Sequence, residues 1–304
     1  MPGIPSPSPT STALVTGASA GIGAEIAREL ARRGHGVTLV ARRRDRLEEL
    51  AAELTGEHGV RADVLPCDLA APDERGTLPD RVGELGLTVE VLVNNAGFGT
   101  AGPFHRSDVE REVQQVRVLV EAVVDLTGRF VPGMVERGRG AILTVASTAG
   151  YQPLPRMAGY GAAKAWARSF SAAIHEELKP KGIAVTAVCP GPVETEFFDV
   201  SGPTPIEAVV PKVAWVQPDT VARAGLDALE RNRSEVVPGR LMSTAMATAR
   251  AVPREAAMPL LGRFFKQRRT AEQQEPTPRT HDADPEQPAR EAETAGGRAG
   301  AASE

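Results

Sequence analysis

The sequence predicts an α/β fold, and three observations carry that prediction. First, a short apolar strand, Ala13 to Thr16, runs into the glycine-rich phrase Thr16-Gly-Ala-Ser-Ala-Gly-Ile-Gly23. A helical pattern follows, with Ile22, Ile26 and Leu30 one turn apart, and then a second strand, Val37 to Val40. Second, further strand-like runs at Arg61–Pro66, Val89–Val93, Ala141–Ala146, Ile183–Val188 and Glu235–Val237 alternate with segments of helical spacing. Third, 304 residues with 41% apolar content can bury a sizeable core, in one large domain or two small ones.

Composition narrows the function classes. A formal charge of −4 argues against a nucleic-acid binder that works by neutralising phosphates. Aromatic residues make up only 4%, so alanine, valine and leucine must fill the core. Cys67 and Cys189 end apolar runs and read as reduced residues, which suits a cytoplasmic location. Residues 1–11 are rich in proline and serine and lack the basic and apolar stretches of a secretory signal. They are expected to be disordered. No apolar run approaches the roughly 20 residues of a membrane span, and no metal is expected.

Taken in order, the first βαβ unit points to a dinucleotide. Gly17 permits a tight turn, Gly21 lets backbone approach a pyrophosphate, and Gly23 lets the helix pack on the strand. Free amides at the helix start then meet phosphate charge. The second strand ends Val40-Ala41-Arg42-Arg43-Arg44, with no acid to hold a ribose 2′-hydroxyl. Arg42, with Arg43 as helper, is expected to grip a 2′-phosphate, which favours NADP over NAD. The competing reading makes Arg42 to Arg46 the start of a solvated helix running to Leu54. After the third strand, Asp68 is placed either to accept from an adenine amino group or to cap a helix. After the fourth come Asn94-Asn95-Ala96-Gly97, small enough for close approach to a ribose or nicotinamide, with asparagines able to tie neighbouring strands. A long helical stretch, Asp108 to Val135, follows.

The fifth strand, Ala141 to Ala146, ends at Ser147. Tyr160 and Lys164 lie four apart at the start of an alanine-rich run, so they share one helix face. A unit positive charge about 4 Å from a phenol is worth about 4 kcal/mol at an effective dielectric near 20. The ammonium is therefore expected to lower Tyr160 below the ordinary tyrosine value of about 10 and make it an acid/base near its working pH. The helix runs to Leu178, and Pro180 and Gly182 end it. The sixth strand closes with Cys189-Pro190-Gly191-Pro192-Val193-Glu194-Thr195-Glu196-Phe197, at the strand end where open α/β sheets bind ligands.

Thr16-Gly-Ala-Ser-Ala-Gly-Ile-Gly23, Asp68, Asn94-Asn-Ala-Gly97, Ser147, Tyr160-x-x-x-Lys164 and Pro190-Gly-Pro192, in this order, resemble the motifs of the short-chain dehydrogenase/reductase family. Tyr160 follows Ser147 by thirteen residues, as is the family's habit. The resemblance implies a Rossmann-type doubly wound fold over residues 12–240, with a seven-stranded parallel sheet. It implies hydride transfer between a nicotinamide and a carbonyl or secondary alcohol carbon. Tyr160 would be the general acid/base, Lys164 would assist it and hold the nicotinamide ribose, and Ser147 would orient the substrate oxygen. Gly17, Ser19, Gly21, Ile22, Gly23 and Asp68 would line the cofactor with Ala96 and Gly97. Asn95, Pro190, Gly191 and Val193 join this set, and Thr195 would contact the carboxamide. A homo-oligomer built on long helices is also implied.

One departure stands out. The family places an asparagine in the helix after Asn-Asn-Ala-Gly, in a phrase like Leu-Asn-Val, to hold a water that feeds protons to the lysine. Here the phrase is Val118-Leu119-Val120, with Gln114 and Gln115 one turn earlier as possible substitutes. An active enzyme and an NADPH-binding regulatory or weakly active protein both follow as readings.

Beyond residue 198, Asp199–Val213 is expected to fold over the substrate as an apolar lid or to be a plain loop, which hints at an apolar substrate. Gln217-Pro218-Asp219 caps a helix from Thr220 to Glu230, before the last strand. Residues 241–269 mix methionine, leucine and phenylalanine with arginine. They read as a helical appendix packed on its own or a partner subunit, as a membrane-surface contact, or as disorder. Residues 270–304 are too poor in apolar residues to order themselves.

Overall fold

A computed structural model of the chain describes residues 2–197, 215–239, 242–244 and 246. The expected lid, nearly all of 241–269 and the tail from 270 lie outside those residues. Strand β1 (Ser11–Thr16), helix α1 (Gly21–Arg32) and strand β2 (Val37–Ala41) form the first βαβ unit; α2 (Arg44–His58) and β3 (Ala62–Pro66) follow. Two short helices, α3 (Pro72–Gly76) and α4 (Leu78–Glu84), lead to β4 (Thr88–Asn94).

The long helical stretch is divided. Asp108 caps α5 (Val109–Val116) by accepting from the amides of Glu110 and Arg111. A π turn, Arg117–Glu121, then passes into α6 (Ala122–Arg137). Strand β5 (Gly140–Val145), α7 (Ala158–Leu178), β6 (Ile183–Val188), α8 (Pro218–Glu230) and β7 (Glu235–Val236) complete the order. Helix α8 starts two residues earlier than its spacing predicts, because Pro218 suits the first helical turn. Asp219 accepts from the Thr220 amide next to it rather than capping.

All seven strands are parallel in the order β3-β2-β1-β4-β5-β6-β7. Successive side chains point to opposite faces. Ala13 and Val15 therefore join Ile26, Leu30, Leu47, Leu54 and Leu226 in a core on one face. Leu14, Leu92 and Ile142 join Leu78, Leu126 and Met134 on the other. The strand order turns back between β1 and β4, which opens a crevice at the carboxyl ends of those strands.

The proline- and serine-rich start is not the disordered tail its composition predicts. Ile4 packs against the first core, Ser11 opens β1, and the Ser8 amide donates to the Ser11 hydroxyl at 3.1 Å. One half-buried isoleucine and a seat on the body outweigh the local composition.

Candidate active site

Every residue singled out in the sequence as a site residue, except Gly23, lines a single cleft of about 670 Å³ at the carboxyl ends of the strands. From the β1 side come Gly17, Ser19, Gly21 and Ile22; from β2, Arg42 and Arg43; from β3, Asp68; from β4, Asn95, Ala96 and Gly97. Ser147, Tyr160 and Lys164 line its other half, with Pro190, Gly191, Val193 and Thr195 following β6.

The glycine-rich turn owes its shape to residues without side chains. Gly17 and Gly21 have φ of +66° and +55°, a region that strongly favours glycine. Gly23 has a different job from the cofactor contact expected of it. A Cβ there would stand 2.3 Å from the Gly17 carbonyl oxygen and 2.4 Å from Asn95 Nδ2, so Gly23 is where helix packs on turn. Asn95 Nδ2 donates to the Thr16 carbonyl at 2.8 Å. Thr16 Oγ1 donates to the Val93 carbonyl and accepts from the Asn95 and Ala96 amides. These bonds tie the end of β4 to the end of β1, as the asparagine spacing allowed.

The cleft fits a dinucleotide on its own chemistry. Ala20 precedes α1 without any side-chain cap, and no acid stands in the first turn. Among the described residues no side chain therefore claims the leading amides, and anions favour that end of a helix. Asp68 Oδ1 accepts from the Ala70 amide at 2.9 Å, a local turn rather than a helix cap, while the residue still lines the cleft. The arginine pair divides differently from the expectation. Both are exposed, but Arg43 reaches the turn, donating to Ser19 Oγ at 3.1 Å and pairing with Glu196 at 3.0 Å.

Helix α7 delivers Tyr160 and Lys164 to the cleft floor, both buried. The Ser147 hydroxyl lines the cleft with Tyr160 and is near enough to favour the ionised phenol. The Ser147 hydroxyl also accepts from the Ala149 amide at 3.1 Å, which fixes its position just past β5. Lys164 Nζ donates to the Val145 carbonyl at 2.6 Å and lies 5.8 Å from the centre of the Tyr160 ring. The expected lowering of Tyr160 is overturned. Burial pushes the phenol up to about 12, and the nearby Ser147 hydroxyl opposes it only in part. The same burial brings Lys164 down to about 8. Desolvation outweighs pair attraction, because the lysine spends its close contact on a backbone carbonyl.

Leu119, where the family's asparagine is expected, sits in the π turn, buried, with its side chain packed on Gly97. It shares a small apolar cluster with Met157, Tyr160 and Ala163. Gln115 points elsewhere: it is fully buried and its Nε2 donates to Thr100 Oγ1 at 2.6 Å.

Several lining residues were not singled out from the sequence. Phe98, Val118, Leu154 and Phe197 form an apolar wall, with Phe197 packed on Tyr160 at 5.2 Å between ring centres. Met242 and Met246 add to it, Met242 lying against Gly191. For these described residues the appendix packs on its own chain. Their spacing of four was the available signal.

Residues 11–204 match the short chain dehydrogenase family. The very-long-chain 3-oxoacyl-CoA reductase of Anas platyrhynchos is 38% identical over 198 residues, 63% of this chain and 62% of that protein. The chain thus spans less than two thirds of the length of that relative. A short-chain dehydrogenase from Sphingobium yanoikuyae, solved in complex with NADPH, is 32% identical with a TM-score of 0.71, covering 90% of this chain and 99% of that one. A 3-ketoacyl-(acyl-carrier-protein) reductase from Brucella melitensis, complexed with NADH, is 28% identical with a TM-score of 0.66, covering 75% of this chain and 96% of that one.

Proposed function

The chain belongs to the short-chain dehydrogenase family, and from that premise we propose that it is an NADP(H)-dependent oxidoreductase interconverting a carbonyl and a secondary alcohol, with Tyr160 as general acid/base. The observation that carries this reading is a buried phenol, with Ser147 and Lys164 lining the same floor, in a cleft whose other half fits a dinucleotide.

When bound, a reduced nicotinamide supplies the hydride. The chain's own residues handle the oxygen. Ser147 holds the substrate oxygen by a hydrogen bond. Tyr160, protonated through neutral pH because burial raises it to about 12, donates its proton to that oxygen. Lys164, mostly charged at neutral pH, supplies the positive field beside the phenol and donors for the cofactor ribose. The absence of an acid after β2, together with Arg42 and Arg43, supports NADP over NAD.

The apolar wall supports a carbonyl substrate with a sizeable apolar part. The names of two relatives, both reductases of 3-oxoacyl thioesters, support that class in particular. A homo-oligomer is part of the proposal, supported by exposed valines at 109, 113 and 116 on α5 and at 124 on α6. A cytoplasmic location remains a proposal; no helix among the described residues is long and apolar enough to cross a membrane.

The test is turnover of NADPH with a panel running from small polar ketones to 3-oxoacyl thioesters. Tyr160→Phe should lower kcat by ~10²- to 10⁴-fold while leaving nucleotide affinity nearly unchanged. Turnover that survives the substitution would remove Tyr160 from the role. Leu119 favours a second reading, a protein that binds NADPH with little turnover. Tight NADPH binding with no activity across the panel would select it.

A further inference from the structure

Arg43 is held from two sides of the cleft mouth. On one side it donates to Ser19 in the glycine-rich turn, through Nε and Nη2 to the hydroxyl at 3.3 and 3.1 Å. On the other, Nη1 pairs with Glu196 Oε2 at 3.0 Å. Glu196 belongs to the segment after β6, and its neighbour Thr195 rests its methyl on Gly21. Two chain segments from opposite sides of the sheet reversal thus meet over the turn, joined by an ion pair. Arg42, one residue earlier and also lining the cleft, makes no ion pair with a described residue.

We propose that Glu196 is a specificity-determining residue: in the free protein its carboxylate occupies Arg43 in place of a nucleotide 2′-phosphate, so a phosphorylated dinucleotide must displace it and an unphosphorylated one need not. The inference rests on the NADP reading above. A carboxylate and a phosphate both present the paired oxygens a guanidinium fork accepts. Arg43 meets one of them at a time, because Ser19 already takes its Nε. Glu196 therefore weakens the binding of NADP selectively and brings the two nucleotides closer in affinity. The pair is half exposed, with side-chain exposures of 45% and 47%, so its effect is modest and salt-sensitive.

The experiment measures dissociation constants for NADPH and NADH, by nucleotide fluorescence on the full chain, for the unmodified protein, Glu196→Gln, Arg43→Gln and the double variant. Glu196→Gln should tighten NADPH by roughly two- to five-fold and leave NADH unchanged. In the Arg43→Gln background the same substitution should do nothing to NADPH. An equal gain for both nucleotides would reduce Glu196 to a general negative charge near the cleft and overturn the proposal. So would a gain that persists without Arg43, or no change for NADPH. If the unmodified chain binds neither nucleotide, the cofactor reading fails first and this proposal with it. If NADPH binds well and Glu196→Gln is silent, only this proposal fails.

Discussion

Tyr160 and Lys164 carry protonation states displaced by burial, in opposite directions. Reduction needs Tyr160 protonated, which holds up to about pH 12, and Lys164 charged, which holds below about pH 8. The pH profile of kcat/KM for carbonyl reduction should therefore be level through neutral pH and fall as pH rises through about 8. A profile still level at pH 10 would remove Lys164 from the reaction. The same residue bears on stability. Its pKa is lower in the folded chain than its ordinary 10.5, so the unfolded chain binds more protons between about pH 8 and 10.5. Folded stability then rises with pH across that window. At pH 7 the buried charge costs the fold, and Lys164→Met should raise the urea unfolding free energy by on the order of 2 kcal/mol even after losing the bond to Val145. Activity should fall at the same time, which separates a group held for chemistry from one held for packing.

At the scale of elements, the glycine-rich turn is fixed by bonds between the ends of β1 and β4, and α7 by the Lys164 bond to the Val145 carbonyl, while helices α1 and α8 are joined by charge. Glu29, buried on α1, accepts from Arg32 and Arg33, and Arg33 continues to Asp227 on α8 at 2.7 Å. The Arg32 guanidinium, with Arg33 behind it, holds the Glu29 carboxyl down to about 2 from its ordinary 4.5. A carboxyl lowered on folding stabilises the fold above its unfolded pKa, and the contribution is lost as pH falls from about 4.5 through about 2. Urea midpoints measured across that window should drop for the native chain and drop less for Glu29→Gln. Parallel curves would mean the network contributes nothing. The π turn is the other telling element. It sets Leu119 on Gly97 within a helix whose apolar spacing looked continuous, and π turns often stand at functional sites.

For the molecule as a whole, the reversal of strand order between β1 and β4 creates the cleft, and a segment more than two hundred residues downstream of the glycine-rich turn helps wall it. Met242 and Met246 line the half near Gly191. Replacing both with serine removes apolar surface from that wall alone. KM for long-chain apolar carbonyls should rise about ten-fold, with kcat and the KM for short substrates little changed. A uniform loss across chain lengths would point instead to a role in holding the fold.

Local rules made much of this legible. The glycine-rich turn, the strand runs and the Tyr160–Lys164 spacing are set within a few residues of one another, so periodicity and motif order located the fold and the polar lining of the cleft but not its apolar wall. Gly23 carried two expectations, packing and cofactor contact, and the crowding around it shows the packing one. What spacing leaves open depends on where distant segments arrive. Arg43 meets Glu196 across the cleft, Ile4 seats a proline-rich start on the core, and Met242 reaches Gly191. The direction in which Tyr160 moves was misread for the same reason: a spacing of four says the lysine is near, but the depth of burial and the carbonyl of Val145 decide how much of its charge the phenol feels. Sequence by itself determined which groups share a cleft; the tertiary structure decided their solvation and long-range partners, because both depend on the path of the whole chain.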